Sequence, residues 1–429
     1  MNKDYPEVLQ VEVTNKCNFN CYMCIRRFWN ANLMDLNLNL YERALSSISK
    51  YLKRIVLYGF GEPLINPNFI EMLRIARDIL SKDSEIIVST NGSMLNPTLF
   101  EKMARIGVDN ILFSVDTVDA CKLKCIREGA EPRTVLNNLY TAAKIKRRNR
   151  DRPKLGVEVV LMKSNFMDLP SLIEKMAEEN IDYIIVSNVV PYSEEIFRET
   201  VYITVSRKPL EIVKLFLEHG RKAILDAIYE AFSGVYGVKI EPKFSKIIDS
   251  FWREAEEAGY WINLPLLFES VEKISMIGEV EKVFELSRKM ADEYGVSLSL
   301  PNLYPDARNR RCPYVDKKAA FIRSDGAVAP CQEFAYKHPV YINMHIKTVN
   351  PVIFGDLKHE DIMSIWGKGE YVTFRETRRK LSESIPWCGD CLYSIFRCFF
   401  VESNSVDCFV NKPSCSECLY SANISQCNI

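Results

Sequence analysis

The chain has 429 residues, enough for two or three domains and a large buried core, and its apolar (47%) and charged (26%) fractions are those of a globular protein. Lysine plus arginine (56) balances aspartate plus glutamate (56), so no net field draws the chain to nucleic acid or to anionic lipid. No stretch reaches the ~18 uninterrupted apolar residues of a membrane span, and "MNKDYPEVLQVEV" lacks a signal-peptide core, so a cytoplasmic protein with reduced thiols and no membrane or nucleic-acid partner is expected.

In chain order, a first strand is predicted over 8–13 ("VLQVEV"), followed directly by "TNKCNFNCYMC". A second (54–59) runs into "GFGEPLINP" (59–67), a third (85–90) into "STNG" (89–92), and a fourth (110–115) into "SVD" (114–116). The fifth and sixth are predicted over 155–162 and 183–188. Amphipathic stretches at 68–82, 97–107 and 168–180 repeat apolar residues at i, i+3 and i+4, the helical period. The pattern "RTVLNNLYTAAKI" enters a basic run at 144–154, expected as a solvated helix end whose cations suit the C-terminal dipole. Six βα units with apolar strands imply a parallel sheet covered by helices, an open, partial (βα)6 TIM-like barrel with its chemistry at the C-terminal strand ends.

Beyond residue 190 the patterns at 209–232, 246–258 and 266–295 are long and helical, an insertion or cap whose apolar stripes are expected to pack. Two short strands at 319–331 flank Asp325-Gly326, a hairpin signal, and a turn-rich tail begins at Trp387. The expected divisions are an α/β barrel core (1–190), a helical insertion (191–305) and a small Cys-rich domain (306–429).

The fourteen cysteines are unevenly spread. Cys17, Cys21 and Cys24 form "CxxxCxxC"; Cys121 and Cys125 stand alone; the other nine, Cys312, Cys331, Cys388, Cys391, Cys398, Cys408, Cys415, Cys418 and Cys427, crowd the C-terminal region. Three thiolates suffice for three corners of a cubane 4Fe–4S cluster and leave one iron open to an exogenous ligand. A zinc site with a distant fourth ligand is the alternative, and the paired CxxC steps of the tail serve zinc equally well. Cys121 and Cys125 share a helix face, but two thiols hold no cluster alone and are expected to be incidental.

The CxxxCxxC loop after strand one resembles the signature of the radical S-adenosylmethionine (radical SAM) superfamily. Gly61, Glu62 and Pro63 resemble its Gly-Gly-Glu-Pro element, with Phe60 in place of the first glycine; Ser89 and Asn91 resemble the segment lining the SAM and ribose site, and Ser114 and Asp116 its Ser-x-Asp. The resemblance implies SAM bound at the open iron through its amino and carboxylate groups, one electron from a ferredoxin-like donor, and cleavage to a 5′-deoxyadenosyl radical that takes hydrogen from an unactivated carbon.

The C-terminal cysteines, together with Gly326 and "FGDLKHEDIMSIWGKGEYVTFRETR" (354–378), resemble the SPASM domain. That likeness implies two auxiliary 4Fe–4S clusters held by eight of the nine cysteines; Glu402 stands where a further cysteine is usual, and the assignment of cysteine to cluster stays open. In sulfatase-maturing relatives an acidic residue directly follows a SPASM cysteine; here Gln332 does, which leaves Glu333 as the acid–base candidate. The tail 406–427 and "WCGDCLYS" look like the tungsten cofactor oxidoreductase radical SAM maturase branch. By that likeness the substrate is a tungsten-containing aldehyde oxidoreductase, its pyranopterin cofactor or an associated peptide. A peptide maturase forming thioether or other crosslinks, and a non-catalytic iron–sulfur or zinc protein, are the alternatives.

Overall fold

The computed structural model describes residues 4–148, 152–218, 242–261, 263–391, 393–394 and 398–429. Six parallel strands form as expected: β1 (Val8–Val11), β2 (Arg54–Leu57), β3 (Glu85–Thr90), β4 (Asn110–Ser114), β5 (Lys154–Leu161) and β6 (Tyr183–Asn188). Between them run α1 (Leu38–Ile48), α2 (Phe69–Ile79), α3 (Pro97–Ile106), α4 (Ala120–Ile126), α5 (Pro132–Arg148) and α6 (Leu169–Glu178). Local signals set the helix ends. Asn96 caps α3 by accepting from the Leu99 N–H, Pro97 supplies a preset φ at its first turn, and Gly107 stops it in the left-handed region at φ +96°.

Strand alternation divides the core. Leu9 and Val11, Ile55 and Leu57, Ile86 and Val88, and Ile111 and Phe113 pack outward against helix residues such as Leu45, Met72, Phe100 and Leu139. The opposite face buries Val8, Val56, Ile87 and Leu112 in a second cluster with Phe321 and Ala329. On that inner face β1, β3 and β4 become polar toward their C-terminal ends: Val8 gives way to Gln10 and Glu12, Ile87 to Ser89, Leu112 to Ser114. The barrel therefore has an apolar floor and a polar mouth.

The sheet is longer than six strands. After α7 (Glu194–Phe197) and α8 (Arg207–Glu218), helices α9 (Pro242–Glu257) and α10 (Leu264–Tyr294) lead to β7 (Ser297–Ser299), which pairs parallel to β6. Helix α10 packs against α6, so this part of the expected insertion extends the barrel's helical layer; residues 219–232 of the pattern lie outside the described residues. After a one-turn helix, α11 (Pro313–Asp316), the predicted hairpin forms as β8 (Ala319–Ile322) and β9 (Ala327–Ala329) with Gly326 at φ +90°. β8 pairs parallel with β1, Val8 opposite Ala319 and Val11 opposite Ile322. One open ten-stranded sheet thus runs from β12 (Gly355–Asp356) through β9, β8 and β1 to β7. A separate hairpin, β10 (His338–Ile342) and β11 (His345–Val349), turns through Asn343 and Met344, both at positive φ. Helices α12 (Ile362–Trp366) and α13 (Gly369–Arg379) follow. No helix among the described residues is long and apolar enough to cross a membrane.

One expectation is corrected. The basic run is not wholly solvated: Lys146 is buried, and its ammonium donates to both carboxylate oxygens of Asp182 at 2.6 Å and to the Asn180 carbonyl at 3.1 Å.

Candidate active site

Beyond β1 the chain makes a closed loop carrying the three N-terminal cysteines. Thr14 and Asp35 bridge its base, and Asn15 seals it: its Oδ1 accepts from the Met34 N–H at 2.7 Å and its Nδ2 donates to the Asn32 carbonyl at 2.8 Å. Phe19, Met23 and Ile25 are buried and anchor the loop. Met23, directly before Cys24, thus fills the inner place, while Tyr22 stays half-buried. A strap after α4 holds the other side. The Asn20 and Tyr22 N–H groups donate to the carbonyls of Glu128 and Ile126, both at 2.8 Å.

Cys17, Cys21 and Cys24 are half-buried free thiols. Burial pushes the Cys21 thiol up to about 12, opposed by Arg127 and reinforced by Cys24, Asp116 and Cys17, and burial also raises Cys17 and Cys24. Thiols held this way ionise only against a concentrated positive charge, which bound metal supplies. Three thiols stand on one loop that contains no histidine, a donor set that supplies three corners of a cubane and leaves its fourth iron open. The donor set fits a cluster with three protein thiolates.

The loop after β2 closes on the cysteine loop. The Glu62 N–H donates to the Lys16 carbonyl at 2.8 Å, and a Cβ on Gly61 would come within 2.2 Å of the Thr14 carbonyl oxygen. Glu62 is buried; its carboxylate accepts from the Asn91 N–H (2.6 Å), Thr90 Oγ1 (2.7 Å) and the Leu64 N–H (3.1 Å). Burial outweighs these donors and raises its carboxyl to about 7. Pro63 opens the turn that follows. Asn91 Nδ2 donates to Asn18 Oδ1 at 2.8 Å and stands 3.9 Å from Cys17 Sγ, so the third strand end touches the cysteine loop directly.

Asp116 is buried against Arg127, Oδ2 to Nε 2.7 Å, and its Oδ1 accepts from the Val160 N–H at 2.9 Å. It therefore braces the strap and β5. Ser114 is half-buried at the end of β4, and its hydroxyl has no hydrogen-bond partner among the described residues. Ser89 Oγ donates to Glu158 Oε2 at 2.5 Å.

Two carboxylates at the mouth were not singled out from sequence. Glu158 projects inward from β5, where burial raises its pKa, and accepts from Asn428 Nδ2 at 2.5 Å. Glu12 is buried directly after β1, also raised by burial, and accepts from the Phe60 N–H (3.0 Å), the Ser324 N–H (3.1 Å) and the Tyr336 hydroxyl. Their signal was available: each is an acidic residue inside a run predicted as an apolar strand, "VLQVEV" and "LGVEVVLM".

The nine C-terminal cysteines fall into two groups. Cys312, Cys331, Cys415, Cys418 and Cys427 line one cavity of about 100 Å³. Burial lifts Cys312 to about 12 and raises Cys331, Cys418 and Cys427 further. Cys408, exposed, lies within electrostatic reach of Cys391 and Cys398, and Cys388 within reach of Cys391. Glu333 borders the five-cysteine cavity and receives His338 Nε2 at 3.2 Å, while His338 Nδ1 meets the Tyr336 carbonyl at 2.8 Å. Cys121 and Cys125 are exposed on α4.

A cleft of about 910 Å³ separates the cysteine loop from the auxiliary region; Arg27, Trp29, Arg323, Tyr336, Lys337 and His338 are among its walls. Trp29 sits edge-on to Phe60 (5.3 Å) and Tyr336 (4.5 Å), roofing the barrel interior beside it.

A three-thiol loop at the mouth of a partial barrel, followed by a cysteine-rich region, defines a class. Residues 11–175 match the Radical SAM superfamily and residues 312–392 the SPASM iron–sulfur cluster-binding domain, so the chain is a radical SAM enzyme with a SPASM domain, using 4Fe–4S clusters and S-adenosylmethionine. Over its whole length it is similar to the tungsten-containing aldehyde ferredoxin oxidoreductase cofactor-modifying protein of Pyrococcus furiosus, 27% identical across 98% of this chain and 97% of that one. A probable GTP 3′,8-cyclase of Methanocaldococcus jannaschii is 27% identical over 51% of this chain and 73% of its own length. Among solved structures, Streptococcus suis SuiB bound to S-adenosylmethionine shares the fold at a TM-score of 0.52 and 13% identity, covering 91% of this chain and 72% of that one.

Proposed function

We propose that this enzyme matures a tungsten-containing aldehyde oxidoreductase, through its pyranopterin cofactor or an associated peptide, in a cytoplasmic setting. Full-length similarity to the Pyrococcus furiosus cofactor-modifying protein supports the reading. The structural observation that carries it is the cleft between the cysteine loop and the SPASM hairpin. Its walls offer three cations, Arg27, Arg323 and Lys337, beside the rings of Trp29 and Tyr336. Arg27 and Arg323 are paired with Glu128 and Asp325, while Lys337 is exposed. Rings and cations together suit a flat, anionic substrate.

The reduced cluster, when bound, supplies the electron that cleaves SAM. In this reading the chain's residues position SAM: Gly61, Glu62 and Pro63 meet its amino end, Ser89 and Asn91 border its ribose, and Asp116 braces the wall behind them. Tyr393, Phe399, Phe409 and Val410 are exposed beside Cys391, Cys398 and Cys408, an apolar face suited to a ferredoxin-like donor.

The test is anaerobic turnover of the reconstituted, reduced chain with SAM and the cofactor-containing oxidoreductase. Release of 5′-deoxyadenosine together with a mass change in the partner or its cofactor supports the proposal. Turnover only with a Cys-rich peptide, leaving a crosslink in it, makes the enzyme a peptide maturase instead.

A further inference from the structure

Beside the auxiliary thiols lies a buried ion pair that metal ligation leaves unused. Lys347 projects inward from β11 with Val349 and borders the five-cysteine cavity. Its ammonium donates to Glu417 Oε2 at 3.1 Å, and among the described residues it has no other hydrogen-bond acceptor. Glu417 is set between Cys415 and Cys418 in the chain and also accepts from Asn343 Nδ2 at 2.7 Å, with His345 Nε2 3.3 Å away. Lys347 lines the same cavity as Cys415 of the five-thiol group, and Cys388 of the other donates its N–H to the carbonyl of Ser416, the neighbour of Glu417, at 3.1 Å. Both charged side chains are buried.

We propose that the Lys347–Glu417 pair sets the reduction potentials of both auxiliary clusters together. The inference rests on the reading that each thiol group holds a cluster. One-electron reduction adds a negative charge to a buried cluster, and net charge and local hydrogen bonding govern its potential. A fixed ammonium in a poorly screened interior favours the reduced form, and a carboxylate opposes it. One charged pair close to thiols of both groups makes the two clusters respond in common. A pair serving only to pack the hairpin would need no charge, because apolar residues of similar volume replace buried ion pairs at little or no cost.

The experiment uses the full chain carrying Cys17→Ala, Cys21→Ala and Cys24→Ala, which removes the SAM-binding cluster's signal. Iron and sulfide are counted, and the auxiliary midpoints are read by potentiometric titration with electron paramagnetic resonance. Lys347→Met is expected to lower both midpoints, Glu417→Gln to raise both, and Lys347→Arg to leave them near the parent's. Unmoved midpoints, or shifts of the same sign in the first two variants, overturn the inference. If Lys347→Met fails to load iron, the signs for Glu417→Gln and Lys347→Arg decide; failure of all three to load makes the pair structural and also overturns it. Absence of auxiliary iron from the parent itself would defeat the underlying cluster reading instead.

Discussion

At position 61 a side chain has nowhere to go. Its Cβ would meet the carbonyl oxygens of Thr14 at 2.2 Å and Lys16 at 2.6 Å, and both are backbone atoms that cannot rotate away. Gly61→Ala is therefore expected to cost at least about 1–3 kcal/mol, the usual range for overpacking, and to abolish SAM cleavage by shifting the cysteine loop. Thermal melting and 5′-deoxyadenosine release measure the two effects. Glu62 carries a pH signature. Its folded carboxyl titrates near 7, above the ordinary 4.5, so from about 4.5 to 7 the folded state holds a proton that the unfolded state has lost, and folding stability declines as pH rises through that window. With Glu62 at the SAM amino end, as proposed, binding would bring positive charge to the ionised form and release the proton. SAM affinity of the reconstituted chain is expected to strengthen as pH rises through 7, and Glu62→Gln to flatten the dependence, both readable by calorimetry. The cysteine loop and Gly61–Pro63 were legible because their groups are contiguous in sequence. Glu12 and Glu158 were harder, since recognising them requires knowing which strand face points inward.

Among the elements, the strap after α4 does what no short motif announced. It carries Arg127, whose buried pairing with Asp116 ties β4, β5 and the cysteine loop together. Removing one partner leaves the other charge buried, so Asp116→Asn or Arg127→Met is expected to cost about 3–5 kcal/mol, with the double replacement milder than the sum. Denaturant melts of the single and double variants give the coupling. Lys146 teaches a related lesson. It follows Leu139, Ala142 and Ala143 at the i, i+3, i+4, i+7 spacing of an apolar stripe, so the helical period placed it inward. Its partner Asp182 lies on another element, and no local pattern could supply it.

For the molecule as a whole, three clusters predict about 12 irons per chain. Replacing Cys17, Cys21 and Cys24 by alanine should remove about four irons, and replacing Cys388, Cys391, Cys398 and Cys408 about four others, by metal analysis under anaerobic conditions. Loss of all iron in either variant would contradict independent sites. The barrel's six strands could be read from periodicity, but the gathering of five C-terminal cysteines around one cavity could not. It depends on Cys312 and Cys331 meeting Cys415, Cys418 and Cys427 across some hundred residues of intervening chain.

The strand that begins the auxiliary half, β8, lies in register beside β1, whose end launches the cysteine loop. Modular exchange is constrained accordingly. A chimaera spliced near residue 305 must bring a foreign edge strand that matches Val8–Val11 residue for residue, or it exposes the backbone next to the radical-generating loop. New specificity in such an enzyme is more accessible through its loops than through transplanting its tail.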